Sequence, residues 1–434
     1  MRSIVTALGS FAAFLVLALP AHAAGPTMSL GAAEDIVRSP DLVTAKTKMA
    51  QMRLAGFTAV RVTSNWLPGL TAPTAHELTV LRNVEAAARL SGVKVYVSVY
   101  HPGSRTTPLE PSDQADFARY AAALATAIPT FDDIVVGNEP NLNRFWLPQF
   151  GLNGANASAP AYLQLLGRTY DALKAADPTL RVWGGALAPR GSDRPDGIRP
   201  TSSPTAFIQA MGAAYRASGR TAPVMDGFAM HPYPDNSSTS PSTPNPRNTS
   251  IGLADYDKLV GLLAGAFDGT PQAGSTLPIL YDEFGIESIV PDGKRSLYSG
   301  TEPTTTKPVD ESKQAAAYDV GLKLAFCQPN VAGILLFHSH DEEALLSWQS
   351  GVYYADGTPK ASLPAVRDAL DRARGGSITR CDGLALNVGL KNVRFPGQAA
   401  FLKGKREVRF RCTLDCAWEV VATRTTTGAQ ALRI

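Results

Sequence analysis

"IVVGNEPNLN", residues 134–143, opens as an apolar run and closes in a polar, turn-forming cluster. The apolar half shows no alternation of polar and apolar residues. A strand exposed on one face alternates; a strand covered on both faces does not, and two-sided cover is the mark of a parallel sheet. Six further runs read the same way: "FTAVRV" (57–62), "VKVYVSVY" (93–100), "LRVWGGAL" (180–187), "VMDGFAM" (224–230), "LPILYDEF" (277–284) and "VAGILLF" (331–337).

Stretches of helical period, such as "AHELTVLRNVEAAARLSG" and "APAYLQLLGRTYDALKAAD", lie between these runs, and the second stops before Pro178. Strand–helix alternation indicates βαβ units. An eighth strand is expected near "MSLGAAED" (28–35), followed by a helix over "PDLVTAKTKMAQMRLAG". Eight such units predict an α/β fold of the (β/α)8 TIM-barrel type over residues 24–375. An open doubly wound sheet is the competitor, but no glycine-rich fingerprint follows the first strand.

The ends of the chain read differently. Met1 and Arg2 precede a largely apolar stretch over residues 4–19, and Ala21-His22-Ala23 fits a small-x-small cleavage site. A spanning helix needs about 20 apolar residues, so residues 1–23 are expected to be a signal peptide rather than an anchor. The mature protein is then secreted, extracellular or periplasmic, with no membrane attachment after cleavage. From residue 378 to 434 short β-like runs ("GLALNVGL", "KREVRFRC", "AWEVVATR") predict a small β-rich accessory module. Cys327, Cys381, Cys412 and Cys416 all lie in the last quarter. In an exported chain an even count suggests disulfides; three pairings are possible, with Cys327–Cys381 and Cys412–Cys416 preferred.

Composition narrows the function. With 434 residues, 44% hydrophobic and 18% charged, the chain is globular; its net charge of +3, without basic clusters interleaved with aromatics, points away from nucleic acid. Two Pro/Ser/Thr-rich stretches, residues 232–250 and 290–312, must be long loops after strands six and seven. Loops after strands form the functional face of a barrel, so both should overhang it, unless they are mobile linkers.

On that face polar strand ends converge. Strand two carries Arg61, followed by Asn65 and Trp66; strand three ends at His101 and strand four at Asn138-Glu139. Strand six ends at His231 with Tyr233, strand seven at Asp282-Glu283, and strand eight at His338, His340 and Asp341. Two carboxylates facing one another across a pocket suit glycosidic bond cleavage, where one protonates the leaving oxygen and the other attacks the anomeric carbon or activates water. Strand alternation lets only one of Asp282 and Glu283 face inward, and the Glu-Phe-Gly context favours Glu283.

"GNEPN" at the end of strand four and "YDEFG" at the end of strand seven resemble the clan A retaining glycoside hydrolases, nearest to families 5 and 39. The resemblance covers the barrel and not the tail. It implies that Glu139 is the acid/base and Glu283 the nucleophile. It further implies that Asn138 bonds the sugar 2-hydroxyl, Arg61 keeps the nucleophile ionised, and Tyr233 hydrogen-bonds Glu283. His101 and His231 would line the subsite of the scissile sugar. In that clan strand eight usually presents a Trp as sugar platform; here Phe337 and His338 stand there.

Trp66 and Trp146, with Phe145, sit in loops of the functional face, where they either stack on sugars or pack the loops. His338 and His340 fall on one side of a strand, a geometry that can bind zinc, but no third ligand is evident, so neither metal nor cofactor is expected. The expectation is a monomeric, secreted glycosidase with a carbohydrate substrate, working by double displacement. A catalytically silent carbohydrate-binding or cell-wall-associated barrel, and a transglycosidase, are the alternatives.

Overall fold

The computed structural model describes residues 25–378 and the backbone of four later segments, Leu390–Arg394, Arg409–Cys412, Val421–Ala422 and Leu432–Arg433. Those four pair as two antiparallel two-stranded sheets. The signal peptide, the rest of the tail module and the partners expected for Cys327 lie outside the described residues.

Eight parallel strands close into a barrel: β1 Ser29–Ala33, β2 Ala59–Asn65, β3 Lys94–Tyr100, β4 Asp133–Val136, β5 Arg181–Leu187, β6 Gly227–Met230, β7 Ile279–Phe284 and β8 Val331–Phe337. β1 pairs with both β2 and β8, which completes the ring. Eight helices cover it: α1 Leu42–Leu54, α2 Ala75–Ser91, α3 Pro111–Ala127, α4 Ser158–Ala176, α5 Pro204–Ala217, α6 Tyr256–Phe267, α7 Glu311–Cys327 and α8 Leu363–Arg374. Local chemistry marks the helix starts. Thr74, Ser203 and Asp310 each accept a first-turn N–H through a side-chain oxygen. Among the described residues no helix is long and apolar enough to cross a membrane.

The absence of alternation in the strands now has its cause. Val60, Val62, Val97, Ile134, Val136 and Val182 pack outward in the shell between strands and helices. Ala59, Tyr96, Val135, Trp183, Ala229, Leu280 and Leu335 form a separate cluster that fills the barrel itself. At its lower end the Trp183 indole N–H donates to Asp133 at 2.8 Å, and Asp133 also pairs with Lys94 and Arg181. With the interior plugged, the side chains two residues further along the same strands (Arg61, His231 and Asp282) arrive at the mouth.

The two long loops are not free linkers. Ser237 donates its N–H to Thr306 O at 3.0 Å, and its hydroxyl accepts the Glu287 N–H at 2.9 Å. The loops after β7 and β8 are fastened by buried Lys360, which donates to Asp341 (2.7 Å), Ser288 (2.8 Å) and Gln349 O (2.9 Å).

Removing a plug residue should cost what a barrel core costs. Leu280→Ala is expected to lower the unfolding free energy by about 2–5 kcal/mol, measured by urea denaturation.

Candidate active site

β4 ends where the backbone must turn sharply. Gly137 has φ +90°, and a Cβ there would come within 2.9 Å of the Tyr162 ring. Tyr162 holds the exit by donating to Val136 O and accepting the Gly185 N–H, both at 2.7 Å. Glu139 follows with φ +43°, its N–H donating to Ala186 O at 2.8 Å. A non-glycine residue in this region of backbone space is uncommon and clusters at functional sites. Asn141 then ties the turn to β5: its amide donates to Ala188 O and Ser202 O and accepts the Ala188 N–H.

β7 departs from regular pairing at the matching height. Tyr281 lies opposite Ile334 and Phe284 opposite Leu336, so three steps on β7 face two on β8. This bulge re-aims consecutive side chains. Asp282 and Glu283 therefore both reach Arg61, which donates through Nη1 to Asp282 at 2.8 Å and through Nη2 to Glu283. Strict alternation would have allowed only one of them inward; the bulge overturns that expectation.

Glu283 has three neighbours able to hold negative charge. Besides Arg61, the Tyr233 hydroxyl donates to its other oxygen at 2.8 Å, and His231 Nδ1 lies 3.4 Å away. His231 is fully buried beneath the mouth. Its Nδ1 is 3.0 Å from Glu139, and its Nε2 is 3.3 Å from Asp282. Burial opposes charge on the imidazole, but Glu283, Asp282 and Glu139 outweigh it and push its pKa up to about 10. Asp282, buried yet held between His231 and Arg61, lies below the usual carboxylate range. Burial likewise works against the Arg61 cation, and its two carboxylate partners reverse that and keep it charged. Glu139, His231 and Glu283 each present a ligating atom within 4.8 Å of the others, the one such grouping among the described residues. A metal ion there would have to displace the proton that His231 holds.

These groups line or underlie a cleft of about 830 Å³ at the C-terminal end of the barrel. Asn138 and His338 also line it. Asn138 Oδ1 is buried without a protein partner, and His338 Nδ1 sits 2.6 Å from Ala33 O. Four expected members do not line the cleft: His231 is enclosed beneath it, and three more are elsewhere. Trp66 is buried, its indole N–H donating to Leu70 O at 2.8 Å and its ring packed on Phe117. Trp146 is buried between the rings of His101 and Tyr162. His101 is buried with Nδ1 2.9 Å from Gly103 O, and burial lowers its pKa to about 4. All three brace the loops after β2, β3 and β4, and none lines the cleft.

The cleft's own aromatics are Tyr100, Phe145, Tyr233, Phe337 and Trp348. Trp348 was not legible as a site residue, because it lies in the loop beyond β8. In space it stands against Tyr233 at 4.8 Å and Phe337 at 5.3 Å.

No protein-family model matches the chain, and no curated protein matches it by sequence. Solved structures share its fold. A family 39 glycoside hydrolase from Bacteroides cellulosilyticus superposes with a TM-score of 0.55, at 16% identity, over 94% of this chain and 79% of that one. A family 5, subfamily 18 enzyme from Streptomyces cattleya, solved with GlcNAc, gives 0.53 at 18% identity, covering 81% of each chain. A broad-specificity family 5 endoglucanase from Clostridium longisporum gives 0.51 at 12% identity, over 82% of this chain and 99% of the other. At these identities the likeness is one of fold, a closed eight-stranded parallel barrel.

The charge cluster makes two expectations. Arg61→Met leaves two buried carboxylates without their cation and should destabilise the protein by about 3–5 kcal/mol in urea unfolding. His231, whose pKa is raised on folding, contributes stability that is fully present below about pH 6.5 and is lost as pH rises towards about 10. The alkaline fall in unfolding free energy between those limits should disappear in His231→Gln.

Proposed function

We propose that the chain is a secreted retaining glycoside hydrolase that cleaves an O-glycosidic bond in an oligosaccharide or polysaccharide by double displacement. One observation carries the proposal: Glu139 and Glu283 bring carboxylate oxygens within 4.8 Å of each other across the cleft. Retaining enzymes separate their carboxyl groups by about 5–5.5 Å, whereas inverting enzymes leave about 6.5–9.5 Å for a water.

The surroundings divide the roles. Glu283, on a rigid strand with Arg61 and Tyr233 donating to it, is placed and oriented to attack the anomeric carbon. Glu139 has no such cation clamp. Its one hydrogen-bond partner among the described side chains is His231, whose Nδ1 lies 3.0 Å away. As the acid/base, Glu139 would protonate the leaving oxygen in the first step and take a proton from water in the second. Asn138, with its unpartnered Oδ1 in the cleft wall, is placed for a sugar hydroxyl, and Trp348, Tyr233 and Phe337 offer apolar ring faces. The predicted signal peptide supports export, and Cys327 with the three tail cysteines supports disulfides formed after it.

The test is a screen of polysaccharides and aryl glycosides with the mature protein. Glu283→Gln should lower turnover about a thousandfold or more on every active substrate. Glu139→Ala should lose about 10²–10⁴-fold on natural glycosides, and much less on aryl glycosides whose leaving group needs no proton. Full activity in Glu283→Gln would overturn the assignment.

A further inference from the structure

The two long loops do more than cover the barrel mouth. Between them lies a second compartment of about 310 Å³, within the size range of ligand pockets. Residues 234–237 of the loop after β6 form one wall and Thr305 and Thr306 of the loop after β7 another. Tyr233, Leu346, Ser347 and Trp348 border both this compartment and the catalytic cleft, so the two spaces meet at Trp348.

Its lining points to a ligand. Glu287 is only 7% exposed, yet the one hydrogen bond its carboxyl receives among the described residues is from the Gln349 N–H at 3.4 Å. A carboxyl so buried is normally satisfied by the protein. Burial, and then Glu302 nearby, lift it to about 7, so near neutral pH it can both donate to and accept from a hydroxyl. Arg190 is the only cation among the residues lining the compartment, and it is engaged with Asp235 and Pro234 O. An anionic ligand would meet carboxylates without a free counter-charge; a neutral polyhydroxyl ligand would meet an aromatic border and an under-bonded carboxyl.

We propose that this compartment is a second glycosyl subsite, and that the substrate is an uncharged oligosaccharide or polysaccharide spanning Trp348 rather than a glycoside of a small alcohol. This rests on the glycosidase reading of the cleft. Thr305, exposed on the wall and outside the catalytic cluster, gives the test: Thr305→Trp fills the compartment and leaves the cleft intact.

Cello-, manno- and chito-oligosaccharides of two to six units are titrated calorimetrically into Glu139→Ala, which binds without turnover. In at least one series affinity should rise about tenfold or more with length, and Thr305→Trp in the same background should abolish that gain while disaccharide binding persists. Should Thr305→Trp not fold, the isosteric Glu287→Gln should reduce the gain about threefold. Affinity that does not grow with length, or a gain that survives the substitutions, overturns the subsite. Length-dependent binding sensitive to Thr305→Trp, in a protein that hydrolyses none of these sugars, would sustain the subsite and refute the hydrolase.

Discussion

Arg61 is the cation on which the mouth of the barrel depends. It sits almost fully buried and reaches two carboxylates on consecutive residues of one strand, Asp282 and Glu283. Without it two anions would stand side by side in a region nearly closed to water, an arrangement that costs several kcal/mol per uncompensated charge. His231 completes the arrangement from beneath by touching Asp282, Glu283 and Glu139. Three carboxyl groups thus meet one guanidinium and one imidazole ring. The geometry is over-determined, because moving any one member leaves another unpaired.

Two of the backbone's irregularities fall where this constraint acts. The bulge in β7 exists at Asp282 and Glu283, and the left-handed backbone of Glu139 at the exit of β4. The bulge aims Glu283, which strict alternation from inward-facing Leu280 would direct away, and the left-handed residue turns the chain out of β4 at Glu139. The plug of Tyr96, Trp183, Leu280 and Leu335 supplies the rigid floor against which such deviations can be held. Asn141, Tyr162 and buried Lys360 lock the loops that carry Glu139 and Trp348.

Much of this was legible in the residues alone. Seven apolar runs without alternation read as strands covered on both sides, with an eighth expected near residues 28–35, and each became a strand of the barrel close to its expected bounds. Arg61, Tyr233, Glu139 and Glu283 converge because strand ends in a barrel have nowhere else to go. What stayed hidden depended on contacts between distant segments. Trp66, Trp146 and His101 occupy loops of the right face, yet nothing local says whether a ring turns into the cleft or into the packing beneath it. Trp348 lies beyond β8 in a stretch with no strand pattern, and only the folding of its loop against Tyr233 brings it to the cleft. The bulge at Asp282 is equally invisible, since a period of two holds until pairing with β8 breaks it.

The proposed direct attack by Glu283, with no water between carboxylate and sugar, stands or falls on stereochemistry. The most direct measurement is proton NMR of the anomeric signal in the first minutes after the protein meets a glycoside it cleaves. Double displacement through Glu283 predicts that the first-formed sugar keeps the configuration of the substrate and only later mutarotates. A first-formed product of inverted configuration would contradict it.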